Sequence, residues 1–317
     1  MTMAKRVFLT GATGFVGSNL ASLLVEKGYE VHVSARKSSN VWRIRDILSK
    51  LHCHTIDLTD QKSVKKALDK IEPDIIFHLA NLNILGGKQF PDKDVINVNL
   101  IGFVNLLNAT KDLPYKCFIN TGSSSEYGPK PAAMKESDSC NPTNTYGITK
   151  LAATQYAREF ALAHKKPILN LRLFSPFGPY DDPSRLMAYA IHRALQNKPL
   201  KLANKGSVRD YIYVENVAQM YLKMIKDAAK YRGETFNLGS GRERSVLEVV
   251  EGILSMTGSK SRVEWNAVKG RSFDSKHWKA HMGKTRKCFG EFLDVDFDVG
   301  LQKTIDWFRA HHSLYSI

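Results

Sequence analysis

Long apolar runs are missing from this sequence. None approaches the ~20 consecutive residues that a membrane-crossing helix needs, so no membrane partner is expected. Cysteine is scarce: Cys53, Cys117, Cys140 and Cys288 stand apart with no CxxC pair, which fits structural thiols in a reducing, cytoplasmic setting. No signal-peptide layout precedes the first strand, since Lys5-Arg6 runs straight into Val7-Phe8-Leu9. Internal repeats and low-complexity stretches are absent. Acid is short as well, with 31 Asp and Glu against 46 Lys and Arg, a net charge of +15. The excess is spread thinly except between Lys260 and Lys287, and no groove-reading motif accompanies it. An anionic small molecule is therefore the expected partner, and nucleic acid is not.

What is present is a regular alternation. Its 317 residues suffice for one large or two modest domains. Strand signals at Val7–Thr10, Glu30–Ala35, Cys53–Leu58 and Asp74–Ala80 are separated by helical patterns, one ending at Gly28 and one following Asp60. That spacing predicts an α/β protein, a doubly wound parallel sheet with helices on both faces. Gly11-Ala12-Thr13-Gly14-Phe15-Val16-Gly17 sits at the first strand-to-helix junction, where glycines let backbone approach a pyrophosphate and the helix N-terminus offers free N–H groups. About 20 residues further on, a site for NAD ordinarily carries an acid for the ribose 2′-hydroxyl. Here the chain reads Ser34-Ala35-Arg36-Lys37-Ser38-Ser39. Two cations with hydroxyls suit a 2′-phosphate, so NADP is the expected cofactor, with NAD the alternative. Asp57 and Leu58, after the third strand, are placed for the adenine end.

Further along, a helix carrying Val95, Asn99 and Val104 leads to the strand Lys116–Asn120, which ends in Thr121-Gly122-Ser123-Ser124-Ser125-Glu126-Tyr127-Gly128. Hydroxyls at the carboxyl end of a parallel strand lie at the rim where ligands bind. Next comes Tyr146-Gly147-Ile148-Thr149-Lys150, opening an amphipathic helix with Asn144 or Thr145 as its cap. Tyr146 and Lys150 are four apart and leave the same helix face. A nearby ammonium favours the phenolate, so the pair can exchange a proton with a substrate hydroxyl or carbonyl.

These pieces resemble the extended branch of the short-chain dehydrogenase/reductases, the nucleotide-sugar epimerases, dehydratases and ketoreductases. The resemblance rests on Gly11–Gly17, His78-Leu79-Ala80, Asn99 with Gly102, Ser123–Gly128, Tyr146 with Lys150, Arg209–Val214 and Asn237–Gly241, in the family's order. It implies that Tyr146 is the acid/base, that Lys150 holds the nicotinamide ribose and depresses the tyrosine pKa, and that Ser123 donates to the reacting oxygen. It implies a cofactor cleft lined by the glycine turn (Gly11, Thr13, Gly14, Phe15, Val16, Gly17), by Arg36, Lys37, Asp57, Leu58, Leu79, Ala80 and Asn99, and by Tyr146 and Lys150. A nucleotide-sugar substrate would meet Ser124, Ser175, Arg209 and Arg271, the two arginines gripping its diphosphate. Ser175 departs from the asparagine common in related epimerases.

Residues 1–174 are then the Rossmann domain, completed by about 211–240, and 175–317 a smaller, interleaved α/β substrate domain. A homodimer through the 93–112 and 143–164 helices is expected. Sugar 4,6-dehydratases of this family carry Asp-Glu where this chain has Ser124 and Ser125. Glu126 comes one residue late, which on an extended strand turns it to the opposite face. The expected reaction is NADPH-dependent reduction of a keto-sugar nucleotide at C4, with an NAD-dependent epimerase or a non-catalytic nucleotide-binding scaffold as alternatives. No metal site is expected: His277, His281 and Cys288 fit no closed zinc site, and His52-Cys53-His54 reads as strand or loop.

Overall fold

A computed structural model describes residues 5–83, 90–268 and 277–315. Its centre is a seven-stranded parallel sheet. The strands are β1 (Arg6–Thr10), β2 (Glu30–Ala35), β3 (Leu51–Thr55), β4 (Ile75–His78), β5 (Cys117–Ser123), β6 (Ile168–Leu173) and β7 (Thr235–Leu238). Their spatial order is β7-β6-β5-β4-β1-β2-β3, so the order reverses between β4 and β1. In such sheets ligands bind outside the carboxyl ends of the strands at that reversal. β7 returns to the sheet only after an excursion through residues 174–234, pairing Thr235–Leu238 with Asn170–Leu173.

Alternation along β1 shows why the sheet is covered twice. Val7 and Leu9 pack into one apolar cluster with Leu20 and Leu24, whereas Phe8 faces the other with Ile76, Phe103 and Phe118. The first face is covered by α1 (Phe15–Glu26), the second by α2 (Gln61–Ile71) and by helix 92–109, called α3, whose middle turn at Asn97–Ile101 is widened to a π-helix. Asp60 caps α2, its carboxylate accepting from the N–H groups of Lys62 and Ser63. The sequence did not signal the 3₁₀ turns at Trp42–Lys50 between β2 and β3.

The amphipathic helix after Pro142 is α4 (Thr145–Ala163), capped by Asn144, whose Oδ1 accepts from the N–H of Gly147 at 2.8 Å. It thus begins where Tyr146-Gly147-Ile148-Thr149-Lys150 opens it, with Asn144 and not Thr145 as the cap. A third apolar cluster underlies the chain's second half, joining α5 (Leu186–Leu195), α7 (Val246–Thr257) and α9 (Phe297–Ala310) through Ile191, Ile253 and Phe308. Between them in sequence lie α6 (Val214–Met224), which packs on α1, and the short α8 (Gly283–Phe289). Among the described residues no helix is long and apolar enough to cross a membrane.

Candidate active site

A cleft of about 480 Å3 opens at the carboxyl ends of β1, β2, β4 and β5, where the strand order reverses. Gly11 turns the chain out of β1 at φ +78°, a conformation side chains rarely adopt. A Cβ there would stand 2.6 Å from the backbone nitrogen of Ala80, so glycine alone lets the β1 and β4 ends approach. α1 starts at once, and its N-cap Gly14 supplies no side-chain cap. The first-turn N–H groups of α1 therefore remain for an anion, which fits a dinucleotide pyrophosphate.

At the end of β2, Arg36, Ser38 and Ser39 line the cleft, with the Ser39 hydroxyl accepting from the Arg36 N–H at 2.9 Å. No carboxylate stands in this turn, but Asp57 lines the same end. Thr59 donates to it through its hydroxyl and its N–H, holding Asp57 below the usual carboxylate range, with Arg36 assisting.

At the far end, Ser123, Tyr146 and Lys150 line the wall together. Ser123 closes β5, and its N–H donates to Oε1 of buried Glu126 at 2.8 Å. Gly147 lets the start of α4 come against this turn, since a Cβ would sit 2.6 Å from the carbonyl oxygen of Ser125. That approach sets Tyr146 on the same cleft wall as Ser123. Lys150 is buried, donates to the carbonyl of Thr121 at 2.8 Å, and holds its Nζ 5.9 Å from the centre of the Tyr146 ring. Burial pushes Lys150 down to about 8, Glu126 opposing. Burial pushes Tyr146 up to about 12; the Ser123 hydrogen bond opposes this, Glu126 adds to it and Arg185 opposes it. The phenol is thus protonated at neutral pH, its pKa raised where the resemblance implied that Lys150 lowers it.

Every expected cofactor residue lines the cleft except Lys37 and Asn99. Lys37 is exposed beside it. Buried Asn99 lies behind it, its side chain bonded to both the N–H and the carbonyl of Leu82 at 2.6 and 2.9 Å. It therefore fixes the 79–82 loop that forms one wall. Three lining residues carried no local signal: Arg43, Asp182 and Arg185. Arg43 comes from the 3₁₀ turns, donating to the carbonyl of Tyr180 at 2.9 Å, and burial lowers its pKa. Arg185 donates to the carbonyl of Pro176 at 2.7 Å and lies over the Phe15 ring.

The expected substrate residues Ser124, Ser175 and Arg209 lie outside the cofactor cleft. Ser124 is buried, its hydroxyl accepting from the indole of Trp278 at 3.1 Å, and the Arg209 guanidinium sits 5.4 Å from that ring. Trp278 was not foreseen. Ser175 pairs with Tyr211 in a short two-stranded sheet, and Arg271 falls outside the described residues. Asp210, beside Arg209, accepts from the N–H groups of Ser240, Gly241 and Ala280 and so pins the Asn237–Gly241 turn. Residues 124–126 form a single 3₁₀ turn, not extended strand. Glu126 still points away from the cleft: Oε2 takes Arg172 Nε at 2.7 Å, and Oε1 takes Thr154.

The model of the NAD dependent epimerase/dehydratase family matches residues 7–239. The chain belongs to that family. This makes it an enzyme of the extended short-chain dehydrogenase/reductase type, as the resemblance indicated. Among curated relatives, it is 28% identical over 288 residues to UDP-glucose 4-epimerase 2 of Arabidopsis thaliana, covering 81% of this chain and 82% of that one. It is 23% identical to dTDP-glucose 4,6-dehydratase of Salmonella typhimurium, across 96% and 93% of the two chains. The fold is similar to the crystal structure of UDP-glucose 4-epimerase from Thermotoga maritima, with a TM-score of 0.88, 23% identity, and 97% and 99% coverage. Family members share the dinucleotide cleft, and the chain's glycine turn, helix N-terminus and β2 end fit that cofactor.

Proposed function

We propose that this family member reduces the C4 carbonyl of a keto-sugar nucleotide with NADPH. The observation that carries the reading is one cleft with Ser123, Tyr146 and Lys150 at one end and Arg36, Ser38 and Ser39 at the other. A guanidinium and hydroxyls at the β2 end suit a 2′-phosphate. The nicotinamide, when bound, supplies the hydride. Tyr146, protonated at neutral pH, gives its proton to the carbonyl oxygen as the hydride reaches carbon, and Ser123 shares that oxygen's developing charge. Lys150 spends one N–H on Thr121 and has two left for ribose hydroxyls. Arg209, against Trp278, is the proposed grip on the nucleotide diphosphate, with Ser124 and Ser175 beside the sugar; Arg271 is proposed as the second grip.

Elimination of water is disfavoured, because Ser124 and Ser125 carry no acid and Glu126 is committed to Arg172. A 4-epimerase is the second reading, supported by the likeness to UDP-glucose 4-epimerase 2 of Arabidopsis thaliana. Such an enzyme would retain its NAD and return the hydride. A scaffold role would suit Ser123, Tyr146 and Lys150 held apart; here all three line one cleft. We further propose a cytoplasmic homodimer through α3 and α4, whose Ile96, Ile101, Ile148 and Leu162 are exposed. The four cysteines, all free, support the cytoplasm. The test is cofactor analysis of purified protein followed by NADPH oxidation with keto-sugar nucleotides. Retained NAD and no NADPH oxidation would overturn the reductase in favour of the epimerase. Thermal shifts with UDP, GDP, CDP and dTDP, with and without NADP, would identify the base.

A further inference from the structure

The edge of the sheet farthest from β7 carries a cluster of imidazoles that the proposed reaction does not use. β2 and β3 pair in parallel with His32 directly opposite His52. Because side chains alternate along a strand, Glu30 shares the face of His32, and His54 that of His52. His32 Nε2 lies 2.9 Å from Glu30 Oε1, and His52 Nε2 lies 4.0 Å from the same oxygen. The ligating atoms of Glu30, His32 and His52 all fall within 4.8 Å of one another. Ligands of a tetrahedral zinc ion, at bond lengths near 2 Å, stand about 3.3 Å apart, inside that spread.

Burial divides the roles. The His32 side chain is 11% exposed and therefore fixed in direction, whereas that of His52 is 58% exposed and stacks on the His32 ring at 4.7 Å between centroids. The other ring nitrogen of His32, Nδ1, is 2.9 Å from His54 Nε2. A metal-bound imidazole characteristically gives its remaining N–H to such an acceptor, which fixes its tautomer. The nearby cations are Arg6 and Lys70. Arg6 is held off by the carbonyl of Ile71 at 2.7 Å and by Glu72.

We propose that Glu30, His32 and His52 bind a divalent transition-metal ion, zinc by ligand type, that ties the edge strand β3 to β2, with His54 as positioning residue. Two imidazoles and one carboxylate are a borderline-soft set that selects zinc, cobalt, nickel or copper over magnesium or calcium. The remaining coordination positions face solvent. Cys53, on the opposite face of β3, takes no part. The cluster lies at the amino end of β2, while the cofactor cleft opens at its carboxyl end, so the ion is structural. It departs from the sequence-based expectation of no metal because Glu30 and His32 join His52 only through strand pairing.

The alternative occupant of the same geometry is a hydrogen-bonded chain, with His54 donating to His32 and His32 to Glu30. Titrating tag-free protein with zinc chloride at neutral pH, followed by calorimetry, separates the two. One equivalent should bind saturably and raise the thermal midpoint. Cobalt chloride should compete and give a visible absorption band. Glu30→Gln and His52→Ala should each weaken binding about tenfold or more, and His54→Ala about tenfold. His192→Ala, remote from the cluster, should leave binding unchanged. Zinc-free thermal midpoints of the variants near that of the parent would show that they fold. Absence of stoichiometric binding, or binding that survives His52→Ala, would overturn the proposal and leave the hydrogen-bonded chain alone. Either result is independent of the NADPH assay.

Discussion

Removing the charge of Glu126 should unsettle the protein although its side chain stands behind the cleft and not in it. Its carboxylate is fully buried, meets Arg172 Nε at 2.7 Å, and accepts from the Ser123 N–H and the Thr154 hydroxyl. Burial raises the Glu126 pKa while Arg172 opposes it, and the guanidinium keeps its charge. Glu126→Ala would leave that guanidinium buried without its carboxylate, which typically costs about 3–5 kcal/mol. Unfolding entropy of about 2 cal/mol/K per residue over 317 residues then converts the loss into a fall in Tm of about 5–8 °C. Glu126→Gln should cost nearly as much, because an amide turned either way sets its NH2 against a donor. Replacing both partners, as Glu126→Leu with Arg172→Met, removes the stranded charge and should cost less than either single change. Urea denaturation of the four proteins followed by circular dichroism gives the cycle. A loss under about 1 kcal/mol in Glu126→Ala, or a double variant as poor as the sum of the singles, would refute a desolvated ion pair behind Ser123.

Tyr146→Phe should lower kcat by about a hundredfold or more with little change in cofactor affinity, measured by stopped-flow hydride transfer and fluorescence titration; unaltered turnover would remove Tyr146 from the reaction. Activity should fall as pH rises through about 8, where folded Lys150 loses its proton, and Lys150→Arg should move that limb upward in a kcat/KM profile. The same group has a folded pKa below its unfolded one, so it costs stability below about 8, a cost relieved as pH rises towards the unfolded value; urea midpoints between those limits should rise in the parent and not in Lys150→Met. Arg36→Ala should weaken NADPH about tenfold or more and leave NADH unchanged, read by titration of each. Gly11→Ala, with its Cβ driven against the Ala80 backbone, should abolish dinucleotide binding or folding, and a variant with parental affinity would contradict the close approach of β1 and β4.

Much of the fold was legible because its signals are local. The alternation of apolar and polar residues marks strand or helix within a few positions, and the Gly11–Gly17 turn states its own geometry. Tyr146 and Lys150 are one helical turn apart, so one cleft wall followed from spacing alone. The last helix begins at Phe297, where Asp296 caps it, a polar signal outside the apolar pattern. Spacing could say nothing of how strongly the wall is desolvated. The phenol's raised pKa depends on burial contributed by distant segments, so the expected acidification by Lys150 was a tertiary question.

By itself, the sequence determined the doubly wound sheet, the glycine cradle, the missing acid after β2 and the shared helix face of Tyr146 and Lys150, because each is written in neighbouring residues. The tertiary structure decided that Asn99 works from behind the cleft wall, that Glu126 is spent on Arg172, and that Arg43 and Arg185 reach the cleft. It also decided that Glu30 and His32 stand beside His52. Those outcomes depend on which strands pair and which loops converge, and the chain sets these through its whole packed core, where no short stretch carries the information.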